Sequence, residues 1–488
     1  MPGLLALDLG TSSAKAALID RAGRTLATAS AGYSTSRTPD GGAEQDPADW
    51  VRAARDAVTA VLPADEEIAA LCLTGQMQDL VLEGEPGAVR PAVLYTDLRA
   101  GAEAAAIREA LARDGEDWDA IAGSLQDASS CAAMFRRLVA REPEAARRTR
   151  GLVFGPAGHL AHLLGAGLHC DLTTASATGL LDARTRDWSP SVARAAGITP
   201  ELLPHLTREA GEVVGRTGED ARDLVGLPAG VPIVLAPGDA GAAAAGITGL
   251  APGQAHASLG TSGWIAQVRP ALPGSAPVGA SHRLALGGGA ELHISAVLAA
   301  GAAAAWARRT YLAGADEEAA DALLEDRERE HGRGPTGLLV LPSLGGERFP
   351  VRDDALRGAV LGLDAATGPI DLYAATLEGI ALALSHALDP AETGQVLPVV
   401  GGGAASAPWR RILADVTGRP VQHTDGTDAT LLGAALTGAE ALGLEHGIAP
   451  LAAQGGEATA PDPAAATAHA GRRPAHRRLY ELVSSALR

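Results

Sequence analysis

The chain has 488 residues, 47% of them apolar and 20% charged, with three cysteines; that balance excludes a disordered chain and a disulfide-stapled scaffold, and the length allows two or more domains with separate cores. Fifty-eight acidic residues against forty basic ones leave a net charge of −18, which argues against a nucleic-acid-binding face and against an anionic membrane surface. Lys15 is the single lysine among the forty basic residues.

The first element is an apolar strand over residues 4–7. It runs into the turn Asp8-Leu9-Gly10-Thr11-Ser12 and returns as a second strand over 14–19. No charged leader with a cleavage site precedes it, and no uninterrupted run of about eighteen apolar residues follows, so a cytoplasmic protein is expected. Asp46 caps a helix with Pro47 at its first position, which places Trp50, Val51, Ala54, Val58 and Val61 on one face. Cys72, Cys131 and Cys170 are scattered and lack metal or redox spacing, as expected of reduced core thiols. His159 and His162 share a helix face, but no third ligand accompanies them and no metal centre is assigned.

A strand over 231–236 leads into Pro237-Gly238-Asp239-Ala240-Gly241 and an alanine-rich helix, and the glycines between 241 and 249 suggest a hinge. The first turn then recurs. Ser258-Leu259-Gly260-Thr261-Ser262 follows an alternating strand over 254–257 and precedes another over 263–268. Strands at 337–341 and 396–400 alternate with helices opening at Asp371 and at Pro408, the latter stopping at Thr417 before Gly418. Residues 454–474 are low in complexity and read as loop, and a helix over 477–487 docks back on the body. The alternation of strands and helices makes the class α/β, built as two similar halves.

Three places suit chemistry. In the Asp8 turn a strand-end carboxylate stands beside amides and hydroxyls able to cradle an anion, with Lys15 on the return strand; otherwise Asp8 caps the turn and Lys15 is a solvated cation. Asp239, flanked by glycine, is placed to accept a proton from a substrate hydroxyl, or else to cap its helix. The triple glycine Gly401-Gly402-Gly403, followed by Ala404, lets a flat base or ribose lie against the backbone.

In order along the chain, Asp8-Leu-Gly-Thr-Ser12, Glu44-Gln-Asp-Pro47, Gly75-Gln-Met77, Gly238-Asp239, Ser258-Leu-Gly-Thr-Ser-Gly263, Gly346-Glu-Arg348, Leu377-Glu-Gly379 and Gly401-Gly-Gly-Ala404 resemble the FGGY carbohydrate kinases, and within them the branch acting on D-xylulose. The resemblance implies two actin-like, ribonuclease-H-like ATPase domains flanking a catalytic cleft. The expected boundaries are 1–245 for the sugar side, 246–445 for the ATP side, and 446–488 for the loop and closing helix. It implies Asp239 as catalytic base and Asp8 as magnesium-associated carboxylate, with Mg2+ held by both, partly through water. ATP would lie against Gly10, Thr11, Ser12 and Lys15, against Gly260, Thr261 and Ser262, and against Gly301, Gly402, Gly403 and Ala404. The sugar or polyol would meet Gln76, Met77, Gln78, Asp97 and Asp239. No nucleic acid or membrane is implied, and a homodimer is among the assemblies the family uses.

Departures cluster around the sugar. The xylulose branch carries Gln-Met-His-Gly where this chain has Gln76-Met77-Gln78-Asp79, Trp-Asn-Asp where it has Tyr95-Thr96-Asp97, and Asp-Asn where it has Asp239-Ala240. The expected reaction is therefore transfer of the γ-phosphate of ATP to a primary hydroxyl, D-xylulose to D-xylulose 5-phosphate first. Another pentulose, a polyol or a sugar acid is the alternative within the class. A non-catalytic sugar-binding protein or an actin-like assembly ATPase is the alternative outside it.

Overall fold

The computed structural model describes residues 2–63, 66–85, 87–271, 280–392 and 394–487. Two six-stranded sheets organise them. In the first, β1 (Gly3–Leu9), β2 (Ser13–Ile19) and β3 (Thr25–Gly32) form an antiparallel meander. Helix α1 (Pro47–Val61) then leads to β4 (Ile68–Gly75), parallel to β1. Strands β5 (Glu212–Arg216) and β6 (Pro232–Leu235) complete the order β5-β6-β4-β1-β2-β3. Helix α2 (Asp239–Thr248) leads on to β7 (Ala255–Leu259), β8 (Gly263–Pro270), β9 (His282–Ala285) and β10 (Ala290–Val297). Then come α3 (Gly301–Tyr311), α4 (Pro369–Ser385), β11 (Leu397–Val400), α5 (Ala407–Thr417), β12 (Val421–His423), α6 (Ala429–Ala441) and α7 (Pro463–Ala486).

The second sheet has the order β9-β10-β8-β7-β11-β12. Its run β10-β8-β7-β11-β12 repeats β3-β2-β1-β4-β6 of the first sheet, three strands antiparallel and the rest parallel. The two Gly-Thr-Ser turns therefore occupy equivalent places, each joining the first two strands of its sheet.

Local chemistry explains the helices. The Asp46 carboxylate accepts from the Ala48 amide ahead of Pro47, and Trp50, Ala54, Val58 and Val61 are buried against Leu5, Leu7 and Leu9 on one face of the first sheet. Ser406 caps α5, which ends at Gly418 in the left-handed conformation. The other face of the first sheet, with Leu4, Ala6 and Cys72, is covered by Leu431, Leu432 and Ala435 of α6, more than 400 positions later in the chain than β1. Conversely, Ala244 of α2 packs with Ala266, Val268 and Leu284 of the second sheet. Each half thus lends a helix to the other.

Those two helices cross backbone to backbone. A Cβ on Gly246 would lie 1.9 Å from the Ala429 carbonyl oxygen, and one on Gly433 would lie 1.9 Å from that of Ala242. Of the glycines expected to form a hinge at 241–249, Gly241 and Gly246 lie inside the helix, Gly246 at the contact, and Gly249 caps its end. A boundary drawn between residues 245 and 246 falls inside α2.

The tail also differs from expectation. Helix α7 begins at Pro463, because Asp462 accepts from the Ala464 and Ala465 amides and alanine has the highest helix propensity. Low complexity here means alanine, and alanine is helical. Leu479 and Tyr480 seat the helix against Leu341 and Leu356.

Gly433→Ala gains about 1 kcal/mol of helix propensity but must push the two helix backbones apart, so a net loss of about 2 kcal/mol and a lower thermal midpoint are expected. Gly471→Ala, in α7 with nothing within 4 Å of its added Cβ, is expected to raise the midpoint slightly. Calorimetry of the two variants checks the contrast.

Candidate active site

The carboxyl ends of β1, β4 and β6 converge, and each delivers a polar group. Asp8 lies in the register of Lys15 across the β1–β2 ladder. Its Oδ2 accepts a 2.8 Å hydrogen bond from Thr430 Oγ1, while its Oδ1 is buried without a partner. Burial raises the Asp8 pKa, against the Thr430 bond and the charge of Lys15. Thr430 is the second residue of α6. The helix exchange between the halves thus reaches the Asp8 carboxylate.

Asp239 opens α2, and the two residues before it are clamped. Thr74 Oγ1 donates to the Pro237 carbonyl at 2.7 Å, and the Gly238 amide donates to Asp171 Oδ1 at 2.9 Å. A Cβ at Gly238 would meet Met77 Cγ and Sδ at 2.4 Å and Thr174 Oγ1 at 2.7 Å, so any larger residue would displace Met77. Asp239 itself is only partly covered. Burial first, then the charge of Asp8, pushes its pKa up to about 7, while the Ala240 amide works in the opposite direction. A carboxylate poised there suits a general base.

Beneath the first turn runs a chain of amides. Gln76 Nε2 donates to Gln45 Oε1 at 3.0 Å, Gln45 Nε2 donates to the Thr11 carbonyl at 2.8 Å, and Trp50 Nε1 donates to Gln45 Oε1 at 2.8 Å. Tyr33 hydroxyl donates to the Gly10 carbonyl. Gly75 sits against Leu9, where a Cβ would approach its carbonyl oxygen to 2.5 Å. In the second half Gly401 stands against the Leu259 carbonyl in the same way, at 2.8 Å. The triple glycine is therefore the second sheet's counterpart of Gly75-Gln76-Met77.

The second turn opens on a cavity of about 560 Å³, of the size that holds a nucleotide. It is lined by Gly260, Thr261, Gly301, Gly402 and Gly403, with Tyr373 and Trp409 as apolar walls. The Gly301 amide donates to the Gly260 carbonyl at 2.9 Å, and a Cβ at Gly301 would lie 2.5 Å from that oxygen. Ser262 is exposed beside this cavity and Ala404 is wholly buried; neither lines it.

On the sugar side the predicted residues divide. Gln76 Oε1 is buried and free of any partner, and Met77 leans across Gly238. Gln78, at φ +66°, sends Nε2 to the Ser129 carbonyl at 2.7 Å and to Ser129 Oγ at 3.1 Å. Asp97 is engaged by Arg99 and by the Ala43 amide; burial works to raise its pKa, but those bonds hold it below the usual carboxylate range. His159 pairs with Glu83 at 2.5 Å in the core.

Sequence reasoning missed Thr430 and Asp171. Thr430 carried no local signal, being 422 positions from its partner. Asp171 did carry one: it is the cap of the helix Leu172–Ala177, its side chain accepting from the Thr174 amide, and it spends the same oxygen on Gly238. Among the described residues no group of three or more His, Cys, Asp or Glu side chains forms a ready metal site. A cation here would rest on the free Oδ1 of Asp8 and on Asp239, hard oxygens that suit Mg2+, with water and phosphate completing its shell.

Among the described residues no helix is long and apolar enough to cross a membrane. The sequence matches the N-terminal domain of the FGGY family of carbohydrate kinases over residues 4–246 and the C-terminal domain over 255–442. A xylulose kinase of Streptomyces coelicolor is 33% identical over 91% of this chain and 89% of that protein. A glycerol kinase of Aromatoleum aromaticum is 31% identical over 93% and 92%. The crystal structure of xylulose kinase from Rhodospirillum rubrum superposes with a TM-score of 0.87 at 27% identity, covering 99% of each chain. With the duplicated sheets, the paired Gly-Thr-Ser turns and the clamped Asp239, these matches establish that the chain belongs to the FGGY family of carbohydrate kinases and is a sugar kinase that uses ATP.

Proposed function

We propose that the protein transfers the γ-phosphoryl group of ATP to a primary hydroxyl of D-xylulose, giving D-xylulose 5-phosphate, with Asp239 as base. The observation that carries this reading is the clamp from Thr74 and Asp171, which holds Asp239 at the cleft within electrostatic reach of Asp8. Full-length likeness to xylulose kinases supports the choice of sugar. The glycerol kinase relative supports a polyol as the second reading.

The acceptor lies against Gln76, Met77 and Asp239, with its primary hydroxyl toward the Asp239 carboxylate. As the hydroxyl oxygen forms its bond to the γ-phosphorus, its proton passes to Asp239 and the bridging oxygen departs with ADP. The base, of pKa about 7, need only be ionised at the start of each turnover. The second turn and Gly301 orient the phosphates from the nucleotide side, and Lys15 with the first turn meets the γ-phosphoryl group from the other. Asp8, and Asp239 through water, would hold a Mg2+ ion, which would supply charge neutralisation on the phosphates. Thr430 turns Asp8 so that one oxygen stays free for that role. The boundary between the halves lies in the crossing of α2 and α6.

Coupled ADP release across xylulose, ribulose, ribitol, glycerol and gluconate tests the assignment. The largest kcat/KM is expected with xylulose; no stimulation by any acceptor would overturn it. Asp239→Asn is expected to lower kcat by at least about 100-fold with the KM for ATP little changed. Because the Asp239 pKa is raised to about 7, wild-type kcat/KM should fall as pH drops through that range at low Mg2+. The midpoint should move lower as Mg2+ increases, since a nearby cation favours the carboxylate. Thr430→Val should raise the Mg2+ concentration needed for half-maximal rate, and Thr430→Ser should restore it.

A further inference from the structure

Asp79 is the unexplained group of this site. It is wholly buried. Its Oδ1 accepts from the Tyr95 amide at 3.0 Å, but Oδ2 has no partner, and none of the ion pairs among the described residues includes it. Leaving a buried carboxyl oxygen unpaired is destabilising, and no neighbour among the described residues pairs with Asp79 Oδ2.

Its neighbours place it at the acceptor side of the cleft. The Tyr95 hydroxyl lies 3.5 Å from Thr11 Oγ1 on the first turn, and the Asp79 amide donates to the Phe154 carbonyl at 3.3 Å. The charge of Asp239 raises the Asp79 pKa in addition to the larger effect of burial, and the charge of Asp79 in turn acts on Tyr33, whose hydroxyl holds Gly10. Asp79 thus closes the loop Gln76-Met77-Gln78, whose Met77 lies against Gly238 next to Asp239, and it is tied to Tyr95, which reaches the first turn. Gln78 cannot fill the space, because its amide donor is committed to Ser129. Gln76 Oε1 is the other buried oxygen on this loop that lacks a partner.

We propose that Asp79 is a specificity-determining residue of the acceptor pocket, its free Oδ2 hydrogen-bonding an oxygen of a neutral polyhydroxylated acceptor other than the one phosphorylated. This rests on the kinase reading above and narrows it. None of the ion pairs among the described residues supplies a cation to Asp8, Asp79 or Asp239, and the raised Asp79 pKa marks a setting that disfavours negative charge, so an acceptor that carries its own carboxylate would find no counter-charge beside Asp79. The acceptor class is therefore a neutral sugar or polyol, and sugar acids are turned away.

The test compares wild-type, Asp79→Asn and Asp79→Gly enzyme with xylulose, with xylulose analogues each lacking one hydroxyl, and with gluconate. Thermal midpoints are read alongside. Asp79→Asn is expected to lower kcat/KM for xylulose by at least about tenfold with the KM for ATP unchanged. It is also expected to lose that penalty on the one analogue whose missing hydroxyl Asp79 binds, and to narrow the preference for xylulose over gluconate. Asp79→Gly gives the same pattern if the amide variant fails to fold. Unchanged kcat/KM for every acceptor would overturn the proposal, as would a uniform loss on all acceptors with a raised KM for ATP, which marks a structural role. Turnover of gluconate by wild type in preference to neutral acceptors would overturn it while leaving the kinase reading intact. Wild-type turnover of no acceptor would overturn both.

Discussion

The contact on which the rest depends is the crossing of α2 and α6, where Gly246 and Gly433 bring two helix backbones together. Each helix leaves one half and packs on the sheet of the other. The first residue of α2 is Asp239 and the second of α6 is Thr430, so the crossing that joins the halves also brings a second carboxyl and a hydroxyl to the Asp8 strand end. A side chain larger than hydrogen at the crossing would separate the helices and shift both groups together. Stability and catalysis share one constraint here.

The second constraint is electrostatic. Asp8, Asp79, Asp171 and Asp239 all lie near the carboxyl ends of the first sheet, and burial raises the pKa of each. Asp171 escapes the cost through amide donors, and Asp8 half escapes it through Thr430. The rest of the imbalance is an attraction waiting for a cation and for hydroxyl groups. Lys15, half-buried on β2 opposite Asp8, is the one ammonium side chain the sequence contains. A compact point charge suits that place better than a guanidinium, whose planar fork needs more room.

Much of this was legible in order along the chain. The repeated Ser/Asp-Leu-Gly-Thr-Ser turn announced two like halves because an anion-binding turn between two strands has few sequence solutions. Asp46-Pro47 and Ser406 with Gly418 marked helix ends because caps are local chemistry. What stayed hidden was non-local. The Thr430–Asp8 bond and the exchange of helices depend on which residues meet across hundreds of positions. The commitment of Asp97 to Arg99 spans only two positions, but it depends on how the loop after the sugar-side strands folds back on Ala43. Glycine spacing at 241–249 suggests freedom, yet Gly246 permits contact, because sequence does not say what stands opposite a missing side chain. The alanine-rich tail was read as loop because low complexity masks propensity.

On this account the crossed helices set Asp239 against the acceptor hydroxyl and Asp8 against the metal, with the nucleotide on the second Gly-Thr-Ser turn. A crystal structure of the protein with a non-hydrolysable ATP analogue, Mg2+ and xylulose tests all three positions at once. The sugar's primary hydroxyl should lie within about 3 Å of an Asp239 oxygen, the cation or one of its waters at Asp8 Oδ1, and the triphosphate between Thr261 and Thr11. A sugar hydroxyl turned away from Asp239, or a nucleotide bound outside the cavity that Gly301 and Gly403 line, would contradict it.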